Sequence, residues 1–330
     1  MKNYSKIIGI DISKSTLDLC VLNNDKEKKT EFFKIENEAK AIAGFLKKYD
    51  ADTVMLCMED TGVYGMRLCV VLSDKGFDFS VVPAIQIRRS MGLKRGKSDK
   101  TDAMDIARYA LKHLDELPLF KMAEPDLQEL RIMMAEREKL VRAIKIFRST
   151  TETVMYATKG SCKAVAKHSE NTLNLLQKQL EKMDKMMAEL IYRNEHMRRQ
   201  SELLQSIPGI GPQTSIYLIA YTRCFTAFQN WRQFACYSGV APFPYESGTS
   251  IRGRTKVSHY AQKKIKSLLH LAAINAKRFD MQMAQYYERK VEQGKNKMSV
   301  VNAVRCKVVA RAFAVIKRDK PYVNTVGYLS

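Results

Sequence analysis

The sequence predicts an α/β region first, a pair of long helices next, and a mainly α-helical C-terminal region. Three observations carry this reading. Strand-like apolar runs alternate with helical patterns over residues 1–118. Residues 119–200 keep a helical period almost throughout. Residues 201–330 hold helical segments separated by Gly-, Ser- and Pro-rich turns. The expected domains are therefore 1–118, 119–200 and 201–330.

Each element follows from its pattern. Lys6–Ile12 is a nearly unbroken apolar run with Asp11 inside it. Thr16–Leu22 alternates and is rich in strand formers, and Glu31–Ile35 supplies a third strand after the turn signal Asn23-Asn24-Asp25. Glu38–Tyr49 has helical spacing, with Ile42, Phe45 and Leu46 on one face. Thr53–Met58 is another apolar strand and leads into Glu59. Tyr64–Leu72 reads as a helix, Phe77–Val82 as a strand stopped by Pro83, and Thr101–Leu111 as a helix. The order βββαβαβα predicts a mixed sheet with helices on its faces.

The pattern from Glu124 to about Thr158 is helical, and a second long helix covers about Thr172–Arg199. Leu173, Leu176, Leu180, Met183, Met187, Leu190 and Met197 follow steps of three and four, with Asn194 in the one missing place. That is a coiled-coil seam with a polar residue of the kind that fixes register. An antiparallel hairpin within one chain has the same spacing. Further on, Ser206-Ile207-Pro208-Gly209-Ile210-Gly211-Pro212 is a tight turn between helical stretches. Asn230–Tyr237, His259–Lys277 and Val300–Lys317 read as helices, and Ser238–Ser258 reads as a loop.

Composition narrows the function. The 330 residues carry 56 Lys plus Arg against 35 Asp plus Glu, a net charge of +21. Residues 201–330 hold 20 basic and 6 acidic residues, so +14 of the excess lies there, while residues 1–115 hold 20 and 17. Such a charge points to a polyanion, nucleic acid first and an anionic membrane second. No apolar run approaches the ~18–20 residues of a membrane span, and the first residues do not read as a signal peptide. Seven scattered cysteines without a C-x-x-C pair exclude a zinc ribbon and a disulfide scaffold on spacing. They fit reduced thiols in the cytoplasm, with the protein on the nucleoid when DNA-bound.

Asp11 and Glu59 sit at or near the ends of strands apolar on both faces, where a carboxylate is costly unless paired or bound to metal. Asp102 and Asp105 are three apart on a predicted helix and share a face. The four would suit Mg²⁺, which takes oxygen ligands and keeps sites open for phosphate oxygens. Two such ions about 3.5–4 Å apart clamp the attacking and leaving oxygens of a phosphoryl transfer. By themselves Asp102 and Asp105 also read as ordinary N-terminal helix charge. Gly209 and Gly211 let a backbone approach a phosphate closely at a helix N-terminus, or simply make a turn. Tyr245–Lys256 brings hydroxyls together with Arg252, Arg254 and Lys256, so one hydroxyl could attack or bind phosphate. Composition alone leaves Ser247, Thr249, Ser250 and Thr255 open. His113, His168, His196, His259 and His270 show no metal spacing, and Trp231 reads as core.

As an ordered set these residues resemble a known family. Gly9-Ile10-Asp11-Ile12-Ser13-Lys14, Met58-Glu59-Asp60-Thr61-Gly62-Val63-Tyr64 and Lys100-Thr101-Asp102-Ala103-Met104-Asp105 follow its N-terminal pattern. Ser206–Gly211, Phe234–Pro242 and Glu246-Ser247-Gly248 follow its C-terminal pattern. The family is the DEDD transposases of the IS-one-ten group of insertion sequences, relatives of the Piv invertase. The resemblance implies a RuvC-like, RNase H-type N-terminal domain whose Mg²⁺ tetrad is Asp11, Glu59, Asp102 and Asp105. It implies a coiled-coil linker used in oligomerisation and a C-terminal transposase domain with Ser247 as nucleophile. It further implies guidance by a structured bridge RNA that pairs with donor and target double-stranded DNA, and action as a dimer or tetramer. Asp60 departs from the pattern, since a small residue often follows the glutamate. Three other classes compete. A RuvC-like nuclease that only hydrolyses needs the tetrad but not Ser247. A sugar-kinase or actin-type ATPase wants a Gly-containing phosphate loop that Ser13-Lys14-Ser15-Thr16 lacks. A non-catalytic RNA-binding protein leaves Asp11 and Glu59 without a reason.

Overall fold

The computed structural model describes residues 2–25, 29–92, 98–157, 163–247, 251–257 and 261–324. Its contacts divide the chain into two compact units, Met1–Met122 and Ala123–Ser330. Among the described residues no helix is long and apolar enough to cross a membrane.

The first unit is built on five strands: β1 (Lys6–Ile12), β2 (Thr16–Asn23), β3 (Thr30–Glu36), β4 (Val54–Glu59) and β5 (Asp78–Val82). They lie in the order β3-β2-β1-β4-β5. The first three form an antiparallel meander, and β1, β4 and β5 run parallel. This mixed order is the RNase H-type sheet of the sequence expectation. Side chains alternate along a strand, so β1 sends Ile8, Ile10 and Ile12 to one face and Ile7, Gly9 and Asp11 to the other. The first face packs on α1 (Ala39–Leu46) and α2 (Val63–Asp74) through Ile42, Phe45, Leu68 and Leu72. Two further helices follow β5, a short α3 (Ala84–Ser90) and then α4 (Asp99–Lys112). The second face takes α4 through Ala103, Ile106, Ala107 and Ala110. Cover on both sides is why β1 and β4 read as continuous apolar runs. The sequence reading passed over α3, whose seven residues bury only Ile87.

Gly9 sets how closely α4 approaches. A Cβ built there would lie 2.3 Å from the Ala103 carbonyl oxygen and 2.3 Å from the Ala107 nitrogen. The helix backbone thus rests directly on β1. A reciprocal box at its start, with the Ser98 side chain accepting from the Thr101 N–H, fixes where α4 begins.

The second unit opens with α5 (Pro125–Ala157) and α6 (Lys163–Arg193), then α7 (Glu195–Gln205), α8 (Pro212–Thr222) and α9 (Trp231–Tyr237). A hairpin of β6 (Pro242–Ser247) and β7 (Ile251–Val257) follows, and α10 (Lys263–Phe279), α11 (Met281–Glu292) and α12 (Lys297–Arg318) complete it. Pro125 stands at the first position of α5, where the missing N–H costs nothing. One core runs through both the 119–200 and the 201–330 regions. Met187, Leu190 and Met197 share it with Leu127, Leu130 and Met134 of α5 and with Val304, Val308 and Ala312 of α12.

Three expectations change here. The expected coiled-coil seam is, at its C-terminal half, packing of α6 on α5 of the same chain, for which three-and-four spacing serves equally well. Asn194 is not a register residue within one helix. Its Oδ1 accepts the Met197 N–H at 3.1 Å and caps α7, and its Nδ2 donates to Asp126 at 2.8 Å, so the predicted single helix is two. The predicted loop over Ser238–Ser258 holds an antiparallel hairpin that pairs Pro242 with Val257 and Ser247 with Ile251. Its Gly and Pro residues hid the strands.

Helix α11 was also not foreseen, because Asp280 alone separates it from α10. Asp280 is 1% exposed. It accepts the Met283 N–H at 3.0 Å, and its other oxygen meets Arg311 Nη1 at 2.6 Å. Removing that cation leaves a buried charge uncompensated. Arg311→Ala is expected to destabilise the second unit by about 3–5 kcal/mol, read as a lower urea midpoint. A shift below ~1 kcal/mol would mean that water reaches the carboxylate.

Candidate active site

Asp11 is the penultimate residue of β1 and Glu59 is the last of β4. These strands are parallel neighbours with Ile10 opposite Met58, so the two carboxylates stand side by side on the face that α4 covers. That is the carboxyl end of parallel strands, where open α/β sheets hold their ligands. Asp102 lies in the first turn of α4, next to Ala103, whose carbonyl oxygen faces Gly9. The close seat at Gly9 thereby brings the helix start to the strand ends.

Electrostatics registers the same grouping. The Asp11 carboxyl is pushed above the usual carboxylate range, first by burial and then by Asp102, Asp99, Glu59 and Asp18. Asp105 is one turn further along α4 and is not among the groups acting on Asp11. The structure therefore gathers Asp11, Glu59 and Asp102 at one end of the sheet, with Asp105 one turn further along α4. Among the described residues, no three His, Cys, Asp or Glu side chains are drawn into a closed ligand set.

The donor chemistry nonetheless fits a hard divalent cation. The groups at this end are carboxylate oxygens. Cys57, on the same face of β4, has its thiol pushed up to about 12 by burial, so it stays protonated and offers no soft ligand. Asp60, the departure from the family pattern, turns away into the loop before α2, where its Oδ1 accepts the Gly62 N–H at 3.1 Å.

Two acids here escaped the sequence reading. Asp18 stands directly opposite Asp11 in the β1–β2 register and is 8% exposed. Lys34 Nζ lies 3.2 Å from its carboxylate and 3.9 Å from that of Asp99. β2 alone gives no signal, since Asp18 takes an ordinary polar place between Leu17 and Leu19, and only the register with β1 sets it against Asp11.

The C-terminal candidates fall differently. Gly209 has φ +97°, and a Cβ there would lie 2.3 Å from the Ala272 carbonyl oxygen. Its missing side chain serves helix packing against α10 inside the protein. Gly211 is exposed, precedes α8, and has open space where a Cβ would project. Ser247 ends β6, and Arg252, Arg254 and Lys256 occupy alternate positions of β7, with Glu246 opposite Arg252. Gly248, Thr249 and Ser250 lie outside the described residues. Trp231 is half-buried against the core.

Known proteins match in the same order along the chain. A DEDD transposase profile of IS110 type matches residues 8–153. A second profile, "Transposase IS116/IS110/IS902 family", matches residues 201–288. The chain is 27% identical to the pilin gene-inverting protein of Moraxella lacunata, over 96% of this chain and 97% of that one. Its identity to the counterpart from Moraxella bovis is 26%, over the same shares. An uncharacterized 43.6 kDa insertion-element IS110 protein of Streptomyces coelicolor is 27% identical over 36% of this chain and 29% of its own length. Thermus thermophilus RuvC, solved with a Holliday junction substrate, aligns over 35% of this chain and 99% of its own at 12% identity, with a TM-score of 0.27. The order and direction of the five strands, not this superposition, make the sheet RNase H-type.

Proposed function

Because this chain belongs to the IS110 family of DEDD transposases, we propose that it moves or inverts DNA by cutting strands and rejoining them through a covalent phosphoserine. The observation that carries this reading is the pairing of Asp11 and Glu59 on adjacent parallel strands, with Asp102 beside them and the Asp11 carboxyl raised by burial and then by their charge. Asp11, Glu59 and Asp102 would hold Mg²⁺, with Asp105 completing the family's set. When bound, the ion supplies charge stabilisation to the phosphoryl oxygens. Asp18 and Lys34 keep the next part of the sheet face charge-balanced.

Ser247 is the nucleophile in this reading. A recombinase has to conserve the phosphodiester bond that it breaks. Attack by a protein hydroxyl stores it as a phosphoserine, which the new strand end reverses. Arg252, Arg254 and Lys256 follow on the facing strand and supply positive charge for the phosphate, and Gly211 offers an open backbone at the start of α8. One chain holds one set of carboxylates and one Ser247, whereas exchange between two duplexes needs several cuts. The active form is accordingly a dimer or tetramer. The +14 of residues 201–330 suits both double-stranded DNA and a bridge RNA that selects donor and target. A protein that cuts and rejoins bacterial DNA acts in the cytoplasm, at the nucleoid.

Ser247→Ala separates this reading from simple hydrolysis. With supercoiled donor and target plasmids, guide RNA and Mg²⁺, the variant is expected to bind both nucleic acids. It is expected to form no denaturant-resistant protein–DNA adduct and no recombinant, a loss of at least ~10³-fold. Ser250→Ala is expected to keep activity. A Ser247→Ala protein that still gives the adduct removes Ser247 from the role. Nicking without an adduct in the wild type would favour a RuvC-like nuclease that only hydrolyses.

A further inference from the structure

Among the described residues three charged side chains are buried: Asp18, Asp280 and Arg305. Asp18 has Lys34 and Asp280 has Arg311. Arg305, on α12 and 9% exposed, has only neutral partners. Its Nη2 donates to His270 Nδ1 at 2.6 Å, and its Nη1 donates to Asn302 Oδ1 at 3.2 Å. Its Nε is buried with no partner. A buried cation without an anion is one of the costliest arrangements a fold can keep.

The surroundings fix this cation with neutral groups and do not neutralise it. Guanidinium has no acceptor, so His270 Nδ1 must accept and the ring proton sits on Nε2, a donor directed away from Arg305. Burial and the Arg305 charge push the His270 imidazole below its ordinary value, so it stays neutral and cannot add a repelling charge. Asn302 is held in place because its Nδ2 donates to the Val240 carbonyl at 2.7 Å. Val240 lies two residues before β6, and Cys306 Sγ also contacts its carbonyl, at 3.3 Å. One turn before His270 on α10 is Lys266, on the same side of the helix. Fixed donors, a buried fork and the ammonium of Lys266 one turn away on α10 fit an oxyanion, and on a chain this basic phosphate is the anion the charge selects.

We propose that Arg305, His270 and Lys266 form a phosphate-binding site at the foot of the β6–β7 hairpin, which takes a backbone phosphate of the bound nucleic acid. The proposal deepens the transposase reading, on which the identity of the phosphate donor rests. Contact with one phosphate there would register the duplex or guide strand against the hairpin that carries Ser247.

The test uses the full chain and two probes. Inorganic phosphate, compared with chloride at matched ionic strength, is expected to raise the thermal midpoint of the wild type. Arg305→Met keeps the stem and deletes the charge, and it is expected to lose most of that gain while being no less stable than wild type without ligand. A random-sequence duplex is expected to bind Arg305→Met roughly tenfold more weakly, with a log–log salt slope shallower by about one. Equal protection of both proteins by phosphate, or an unchanged duplex affinity and slope, would overturn the proposal. A ligand-free loss of stability with an unchanged slope would assign Arg305 a structural role only. Should Arg305→Met not fold, Arg305→Lys keeps the charge and loses the fork. It is then expected to weaken duplex binding several-fold with the slope intact, and an affinity equal to wild type would be the contrary result. Phosphate protection that depends on Arg305, in a protein that binds no duplex, would leave the anion site standing and remove the DNA reading instead.

Discussion

Asp11→Asn is expected to abolish strand cleavage and, in metal-free buffer at neutral pH, to raise the thermal midpoint. The two effects have opposite signs for one reason. The other carboxylates at the end of the sheet, together with burial, make a charge on Asp11 unfavourable. A carboxyl whose folded pKa is raised binds its proton more tightly in the folded chain than in the unfolded one. Its contribution to stability therefore falls as pH rises from the ordinary carboxylate range through the raised value, and the penalty is complete above it. The variant escapes this penalty, so its advantage over wild type should be present at neutral pH and vanish in acid. Losing a ligand that supports charge stabilisation worth several kcal/mol corresponds to a rate loss of about a thousandfold or more. Added Mg²⁺ should stabilise wild type more than the variant. A variant that is inactive and also less stable at neutral pH would make Asp11 a structural residue.

Gly9→Ala should be nearly as damaging without touching any charge. The added methyl meets two backbone atoms of α4 at 2.3 Å, and backbone cannot rotate away as a side chain can. Displacing the helix is expected to cost about 3 kcal/mol and to carry Asp102 away from Asp11 and Glu59, so cleavage falls with stability. Gly44→Ala is the control. Gly44 lies within α1 with nothing within 4 Å of its added carbon, and the change should stabilise by about 0.5–1 kcal/mol. Urea denaturation of the two variants, with cleavage assayed alongside, tests the contrast. Equal behaviour would mean that α4 can slide on the sheet at no cost.

What the sequence made legible divides along physical lines. The strands carrying Asp11 and Glu59 could be read because burial on both faces leaves an apolar run in which a carboxylate stands out. Asp102 could be read because a helix start favours acid, although that same preference hid its role. Asp18 went unseen because its importance comes from the register that sets it against Asp11, and register is a property of two strands. Asn194 was misread because a polar residue on a helical seam and a helix cap occupy the same place in a pattern. The β6–β7 hairpin was missed because glycine and proline there weaken strand propensity. The seam from Leu173 to Met197 allowed two readings because apolar spacing records that a helix face is covered, not by which chain.

The sheet order also dictates when the nuclease comes into being. Asp11 and Asp18 belong to the meander that leaves the ribosome first, and strands adjacent in sequence can pair while synthesis continues. Glu59 arrives after a crossover, and Asp102 comes 91 residues after Asp11, on a helix that must still settle on Gly9. Ser247 follows 145 residues later again. A nascent or truncated chain thus lacks Asp102 beside Asp11 and Glu59 until α4 docks, and lacks Ser247, the proposed nucleophile, until most of the polypeptide has been made. Chain order alone therefore places the assembly of the carboxylate group late in the synthesis of the first unit.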